Sequence, residues 1–174
     1  MDSIKILKTQ IYNDSRGFFL ESYNQKEWDD IKFIQDNISI SKFGVVRGLH
    51  YQLNNPQGKL VRVLSGRIFD VVVDIRVGSP TFGQWKGFYL FSISDQLWVP
   101  PGFAHGFSVH SENATVLYKC TDYYCSADSY IINVNDPNIN IRWDCTKPII
   151  SERDMCAPYL KNIDNENLPK YIKD

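Results

Sequence analysis

Apolar and polar residues alternate with period two along most of the chain. The clearest stretch is 67–76, with Phe69, Val71, Val73 and Ile75 on one face and Asp70, Val72 and Asp74 on the other. The first face reads as core. The second sets two carboxylates beside a valine, and two readings stand open: a face turned toward a polar cavity, or a solvated outer face. Another strand precedes it from about Gln57 and turns at Ser65-Gly66. Further strands are expected at 18–23, 38–42, 46–53, 85–93, 96–99, 106–110, 115–124 and 131–133. Turn signals separate them, among them Asn54-Asn55-Pro56, Gly78-Ser79-Pro80 and Pro100-Pro101-Gly102. Many short strands at close spacing predict an all-β sandwich or barrel. Helix is scarce. One is expected at 25–32, with Asn24 as N-cap and Glu27 three residues on, and a short turn at 151–155. The polar stretch after Tyr159 is expected to cross the surface as a tail.

With 174 residues, 43% of them apolar, the chain suits one domain (1–174). A domain of this size buries ~70% of its unfolded surface and needs no disulfide or metal to fold. Lys and Arg number 19 against 20 Asp and Glu, which argues against a whole-protein field for nucleic acid or anionic membrane. The longest apolar runs are too short to span a bilayer. Met1-Asp2-Ser3-Ile4-Lys5 opens without an apolar signal segment, so a cytoplasmic location is expected. Cys120, Cys125, Cys145 and Cys156, none in a C-x-x-C pair, are then expected as reduced thiols.

Three histidines are available for chemistry: His50, His105 and His110. His50 follows Arg47-Gly48-Leu49, and His105 follows the rigid turn Pro100-Pro101-Gly102. Each has a plain structural reading as a satisfied core histidine. A metal centre on such a barrel would call for an H-x-H pair, and this chain has His50-Tyr51-Gln52 instead. Glutamine is a poor ligand for metals that imidazole suits, so no metal is expected. Arg16, Arg47, Lys59, Arg62 and Arg67 fall in or beside strands. On a concave face their forks would suit a diphosphate, and on a convex face they would be solvated.

Eight segments occur in an order that carries a resemblance. They are Asp14-Ser15-Arg16-Gly17-Phe18-Phe19-Leu20-Glu21, Gln35-Asp36-Asn37, Arg47-Gly48-Leu49-His50-Tyr51-Gln52, Gln57-Gly58-Lys59-Leu60-Val61-Arg62, Phe69-Asp70-Val71-Val72-Val73-Asp74-Ile75-Arg76, Ser79-Pro80-Thr81-Phe82-Gly83, Pro101-Gly102-Phe103-Ala104-His105-Gly106-Phe107 and Tyr118-Lys119. Together they resemble the dTDP-4-dehydrorhamnose 3,5-epimerase family. The resemblance implies an all-β, cupin-like double-stranded β-helix (jelly roll) with a few short helices. It implies a homodimer formed through exchanged N-terminal strands, and neither metal nor cofactor. It implies His50 as general base, oriented by Asp154, Tyr118 as the opposing acid and Lys59 at the C4 oxygen. His105 and Arg47 would line the sugar-diphosphate pocket. Arg16, Glu21, Gln35, Asp36 and Asn37 would serve the nucleotide end, partly across the dimer interface, with Arg153 also on the substrate. The substrate implied is a dTDP-linked 4-keto-6-deoxy sugar.

Those residue types suit the reaction. Inverting a carbon next to a ketone requires a proton carrier on each side of the ring, here an imidazole and a phenol. The enolate requires positive charge at its oxygen, which Lys59 can supply. A carboxylate on the far nitrogen of the imidazole fixes its tautomer. Asp154 has a second reading as the N3 partner of a capping box headed by Ser151. Strict alternation would put Arg47 and His50 on opposite faces, so a bulge or bend is expected between them if both touch substrate. The chain departs from the family pattern at Ser129 and Val134, where glutamate and tryptophan are usual, and Arg153 replaces a common lysine. A single-carbon epimerase, one for another nucleotide sugar, and a non-catalytic sugar-nucleotide binder remain as alternatives.

Overall fold

The computed structural model describes residues 1, 3–28 and 30–173. In chain order its strands are β1 (Lys5–Lys8), β2 (Ile11–Asp14), β3 (Gly17–Leu20), β4 (Gln35–Lys42), β5 (Val46–Gln52), β6 (Lys59–Ser65), β7 (Ile68–Asp74), β8 (Trp85–Leu90), β9 (Asp95–Val99), β10 (Phe103–Val109), β11 (Asn113–Cys120) and β12 (Ser129–Ile131). One sheet has the order β1-β9-β6-β11-β4, and a second has β12-β5-β10-β7-β8. All their pairings are antiparallel, and the two sheets face each other as a cupin-like jelly roll. Strands β2 and β3 form a separate hairpin.

Period-two alternation builds two cores. Between the sheets, Val61, Val63, Leu97, Val99 and Val116 of the first meet Ile68, Val72, Phe103 and Phe107 of the second. On the far side of the second sheet, Leu49, Tyr51, Phe69, Val71, Val73 and Ala104 pack against Ile132, Val134, Ile139, Trp143, Leu160 and Leu168. Both faces of β7 are therefore buried, and Asp70 and Asp74 are not on a solvated face. The stretch after Tyr159 is no surface tail. Leu160 and Leu168 enter the second core, where burying each contributes about 2 kcal/mol. The Tyr51 hydroxyl donates to the Asn167 carbonyl at 2.9 Å, and Val77 N–H donates to Pro169 at 2.8 Å.

The helix expected at 25–32 reduces to one 3₁₀ turn, Gln25–Glu27, capped by Asn24. Asp29 lies outside the described residues. Aromatic packing overrides the helical signal, because Trp28 and Phe33 both meet Trp98 edge-on, at 5.5 and 5.7 Å between ring centroids. Between β1 at one edge of the first sheet and β4 at the other, Thr9, Ser22, Trp28 and Phe33 lie against the sheet's outer face at Arg62 and Trp98, and the hairpin projects from this crossing. The capping box at Ser151 forms as expected. Ser151 Oγ accepts from Asp154 N–H at 3.1 Å and starts helix α1 (Glu152–Met155).

A bulge resolves the alternation conflict in β5. His50 is opposite His105 and Arg47 is opposite Phe107, so β5 holds one residue more than β10 in that interval. Val46 and Leu49 then both face the outer core, while Arg47 and His50 share the other side. Gly48 sits in the bulge at φ +143°, and a Cβ there would lie 2.7 Å from Gly106 Cα. Only glycine allows the two strands to approach this closely.

Candidate active site

A cavity of about 300 Å³ opens between the sheets and is lined by His50, Lys59, Tyr118, Asn37, Cys120 and Arg153, together with Tyr51, Gln52, Gln57, Tyr124 and Ser129. His50 comes from β5 in one sheet, and Lys59 and Tyr118 come from β6 and β11 in the other. The imidazole and the phenol are thus held on facing layers.

His50 Nε2 donates to Asp154 Oδ1 at 2.8 Å. With that nitrogen committed, Nδ1 keeps the lone pair. Burial acts to raise the Asp154 carboxyl. The hydrogen bond and charge of His50, with further bonds from Ser151 and the Gly48 N–H, outweigh it and hold Asp154 below the ordinary carboxylate value. The bulge therefore acts on His50 twice: it turns the ring inward, and its own N–H helps keep the Asp154 carboxylate ionised.

The Tyr118 hydroxyl is 2.9 Å from Ser39 Oγ. Burial pushes its pKa up, only partly opposed by the Ser39 bond and by Arg47, so the phenol keeps its proton at neutral pH. The Lys59 ammonium has no hydrogen bond or ion pair among the described residues. Burial pulls its pKa down, against the nearby Cys120 and Asp70. An unpaired cation in a confined cavity is free to meet an anionic oxygen.

A second histidine–carboxylate pair backs the site. His105 Nε2 lies 2.9 Å from both oxygens of Asp70, and both residues are buried. Burial raises the Asp70 carboxyl despite the opposing charges of His105 and Lys59. The His105 ring meets Tyr118 edge-on at 6.5 Å. Asp70 was marked in the sequence by its place on the mixed face of 67–76 and in a family segment, but no role was attached to it. Ser39 carried no sequence signal at all. Arg47 Nε donates to Ser41 at 3.0 Å on the inward side of β4.

Other expected residues are distributed more widely. Gln35 bonds Asn37 at 2.9 Å and the Tyr124 N–H at 2.8 Å, at the rim. Asp36 alternates to the outer face of β4 and pairs with Lys119 at 2.9 Å, so this chain's fold does not bring it to the cavity. Arg16 is at the hairpin tip, 87% exposed and paired with Asp14. Glu21, at the foot of the hairpin, lines a different cavity of about 730 Å³ with Lys5, Trp28 and Trp98. Arg153 reaches the carbonyl and hydroxyl of Ser129, each at 3.3 Å. Gln52 uses its amide on backbone groups, donating to Asn55 and Tyr123 and accepting from Cys125. Among the described residues no three His, Cys, Asp or Glu are grouped to hold a metal ion. None of the described helices is long and apolar enough to cross a membrane.

A barrel that sets a carboxylate-backed imidazole against a phenol, with a free ammonium in the same cavity, is built as a cupin-like acid–base enzyme. The family model for dTDP-4-dehydrorhamnose 3,5-epimerase matches residues 1–162. A dTDP-4-dehydrorhamnose 3,5-epimerase of Pseudomonas aeruginosa is 48% identical over 156 residues, 86% of each chain. One from Neisseria gonorrhoeae is 48% identical over 163 residues, 90% of this chain, which spans about half (50%) of that relative's length. The crystal structure of dTDP-6-deoxy-D-glucose-3,5-epimerase RmlC from Legionella pneumophila, in complex with dTDP-4-keto-L-rhamnose, superposes with a TM-score of 0.96 at 48% identity, covering 99% of this chain and 96% of that one. The chain belongs to the dTDP-4-dehydrorhamnose 3,5-epimerase family, whose members are isomerases.

Proposed function

We propose that the protein inverts C3 and C5 of dTDP-4-dehydro-6-deoxy-D-glucose to give dTDP-4-dehydro-L-rhamnose, without metal or organic cofactor. The observation that carries this is the opposition of His50 and Tyr118 on facing sheets around the Lys59 ammonium. His50 Nδ1 takes the proton from a carbon beside the C4 ketone. The C–H electron pair moves into the ring and onto the C4 oxygen, where Lys59 balances the charge. Tyr118 then delivers its proton to the other face of that carbon. Proton exchange with solvent restores neutral His50 and the phenol, and the cycle repeats at the second carbon. Asp154 fixes the His50 tautomer and stabilises the imidazolium. His105, held by Asp70, and Arg47 lie beside this chemistry, and Arg153 and Asn37 take the substrate at the mouth.

The same reading assigns a homodimer built from the whole chain as one domain. The outer face of β4 exposes Ile38 and Ile40, at 63% and 69%, and the hairpin exposes Tyr12, Phe18 and Phe19. Apolar surface of this extent supports association with a second copy. The hairpin would then carry Arg16 to the nucleotide diphosphate in the partner's cavity, with Glu21, Gln35 and Asp36 near that end.

Incubation of the protein with the dTDP-keto sugar in D₂O and excess chelator tests the reading. NMR is expected to show deuterium at both C3 and C5 with inversion at each. Exchange at one carbon alone would make it a single-site epimerase. Activity that chelation abolishes and one divalent metal restores would overturn the metal-free mechanism.

A further inference from the structure

Arg62 lies on β6, on the face turned away from Val61 and Val63, and is only 2% exposed. Among the described residues no carboxylate bonds it and its Nε has no hydrogen-bond partner. A buried cation without an ion pair is a costly choice where an apolar side chain would fill the same space. Its remaining donors show what it does. Nη1 donates to the Ile93 carbonyl. Nη2 donates to Thr9 Oγ1 at 2.9 Å and to the Ser22 carbonyl at 3.1 Å.

Thr9 comes just before the hairpin and Ser22 just after it. One nitrogen of one guanidinium therefore ties both feet of the hairpin to the barrel. Thr9 is held further by Gln96, whose amide donates to the same hydroxyl at 2.8 Å, and by the Ser94 carbonyl at 2.8 Å. Beyond these feet, and among the described residues of one chain, β2 and β3 pair with each other and with no further strand. A two-stranded hairpin has little stability of its own, so within its own chain it is held at its base, and the course it takes toward the second copy starts from there. The rigid multi-donor fork of arginine reaches several acceptors at once, which a lysine cannot reproduce.

We propose that Arg62 is a positioning residue: it pins both ends of the hairpin and so fixes where Arg16 is presented to substrate in the second copy's cavity. This rests on the reading that the hairpin serves the partner's site, and the test separates the two. Arg62→Met keeps a stem of similar bulk and removes every donor. Amide hydrogen exchange across 11–20 is expected to quicken about tenfold or more in this variant, while amides of β6 and β10 keep their protection. KM is expected to rise about tenfold with kcat within about twofold. In an Arg16→Ala background, which itself raises KM, Arg62→Met should add nothing further. Arg62→Lys should recover part of both effects, and sedimentation should give a dimer for each variant. Unchanged hairpin exchange in Arg62→Met would overturn the clamp. A KM rise that adds in full to that of Arg16→Ala would overturn the route through Arg16. Arg16→Ala with an unchanged KM would overturn the reading of the hairpin, and the proposal with it. Should Arg62→Met fail to fold, Thr9→Val frees one foot alone and is expected to quicken exchange in β2, with unaltered exchange there overturning the clamp.

Discussion

In the proposed mechanism His50 can act as a base because one of its nitrogens is already held by Asp154. Asp154 holds Nε2 at 2.8 Å, and the carboxylate stays ionised through His50, Ser151 and the Gly48 N–H. Asp154→Asn keeps the volume and changes the acceptor into an amide that can turn its donor to the ring, which favours the wrong tautomer. The expected outcome is a KM close to that of the native protein with kcat lower by roughly 10² to 10⁴, read in steady-state kinetics. His50→Ala should abolish deuterium exchange at every ring carbon, and exchange at the native rate would remove His50 from the mechanism. The motifs singled out His50, Lys59 and Tyr118, and the fold gathers these three side chains around one cavity, whereas His105 lies behind it, against Asp70. The pairing of His50 with Asp154 was not derivable from spacing, since 104 residues separate the two. Asp70 was only half legible, because alternation cannot tell a buried polar cavity from solvent. Ser39 was invisible, because a serine on a polar-looking strand has no pattern until Tyr118 lies opposite.

Among the elements, β5 and β7 position the site most directly. The bulge in β5 was legible as a requirement, from the odd, three-residue step from Arg47 to His50, though its place at Gly48 came from the pairing with β10. Strand β7 ends in Asp74, which accepts two bonds from the Arg76 guanidinium at 2.9 and 2.7 Å, one from the Arg76 N–H at 3.1 Å, and one each from Ser79 and Thr81 at 2.6 Å. Burial opposes ionisation, but these donors dominate and hold the carboxyl far below its ordinary value. A depressed folded value means that the stabilisation is complete above the unfolded carboxylate range and is lost as pH falls through the folded value. Asp74→Asn is therefore expected to cost about 3 kcal/mol at neutral pH, the scale for breaking a buried pair. The gap should narrow progressively below about pH 4. Urea unfolding of both proteins across that range checks it, and a gap that ignores pH would mean that charge is not its source. Strands β1 and β2 were not legible, because each has four residues, and most of them are exposed.

The whole molecule supplies what no strand can, which is the opposition of an imidazole and a phenol. One sheet brings His50, the other brings Tyr118 and Lys59, and the C-terminal segment covers the His50-bearing sheet from behind. The all-β jelly roll was legible in the period-two pattern and the family segments. The buried C-terminal segment was not, since Leu160 and Leu168 are isolated apolar residues in a polar stretch and only their burial reveals them. The central claim is that Tyr118 returns the proton to the face opposite the one His50 attacks. Tyr118→Phe in D₂O with the dTDP-keto sugar tests it most directly, with exchange and epimer ratio read by NMR in one tube. His50 should still remove the proton and return deuterium to the same face, so deuterium should accumulate with configuration retained while inversion falls steeply. Full inversion at the native rate in Tyr118→Phe would contradict the account.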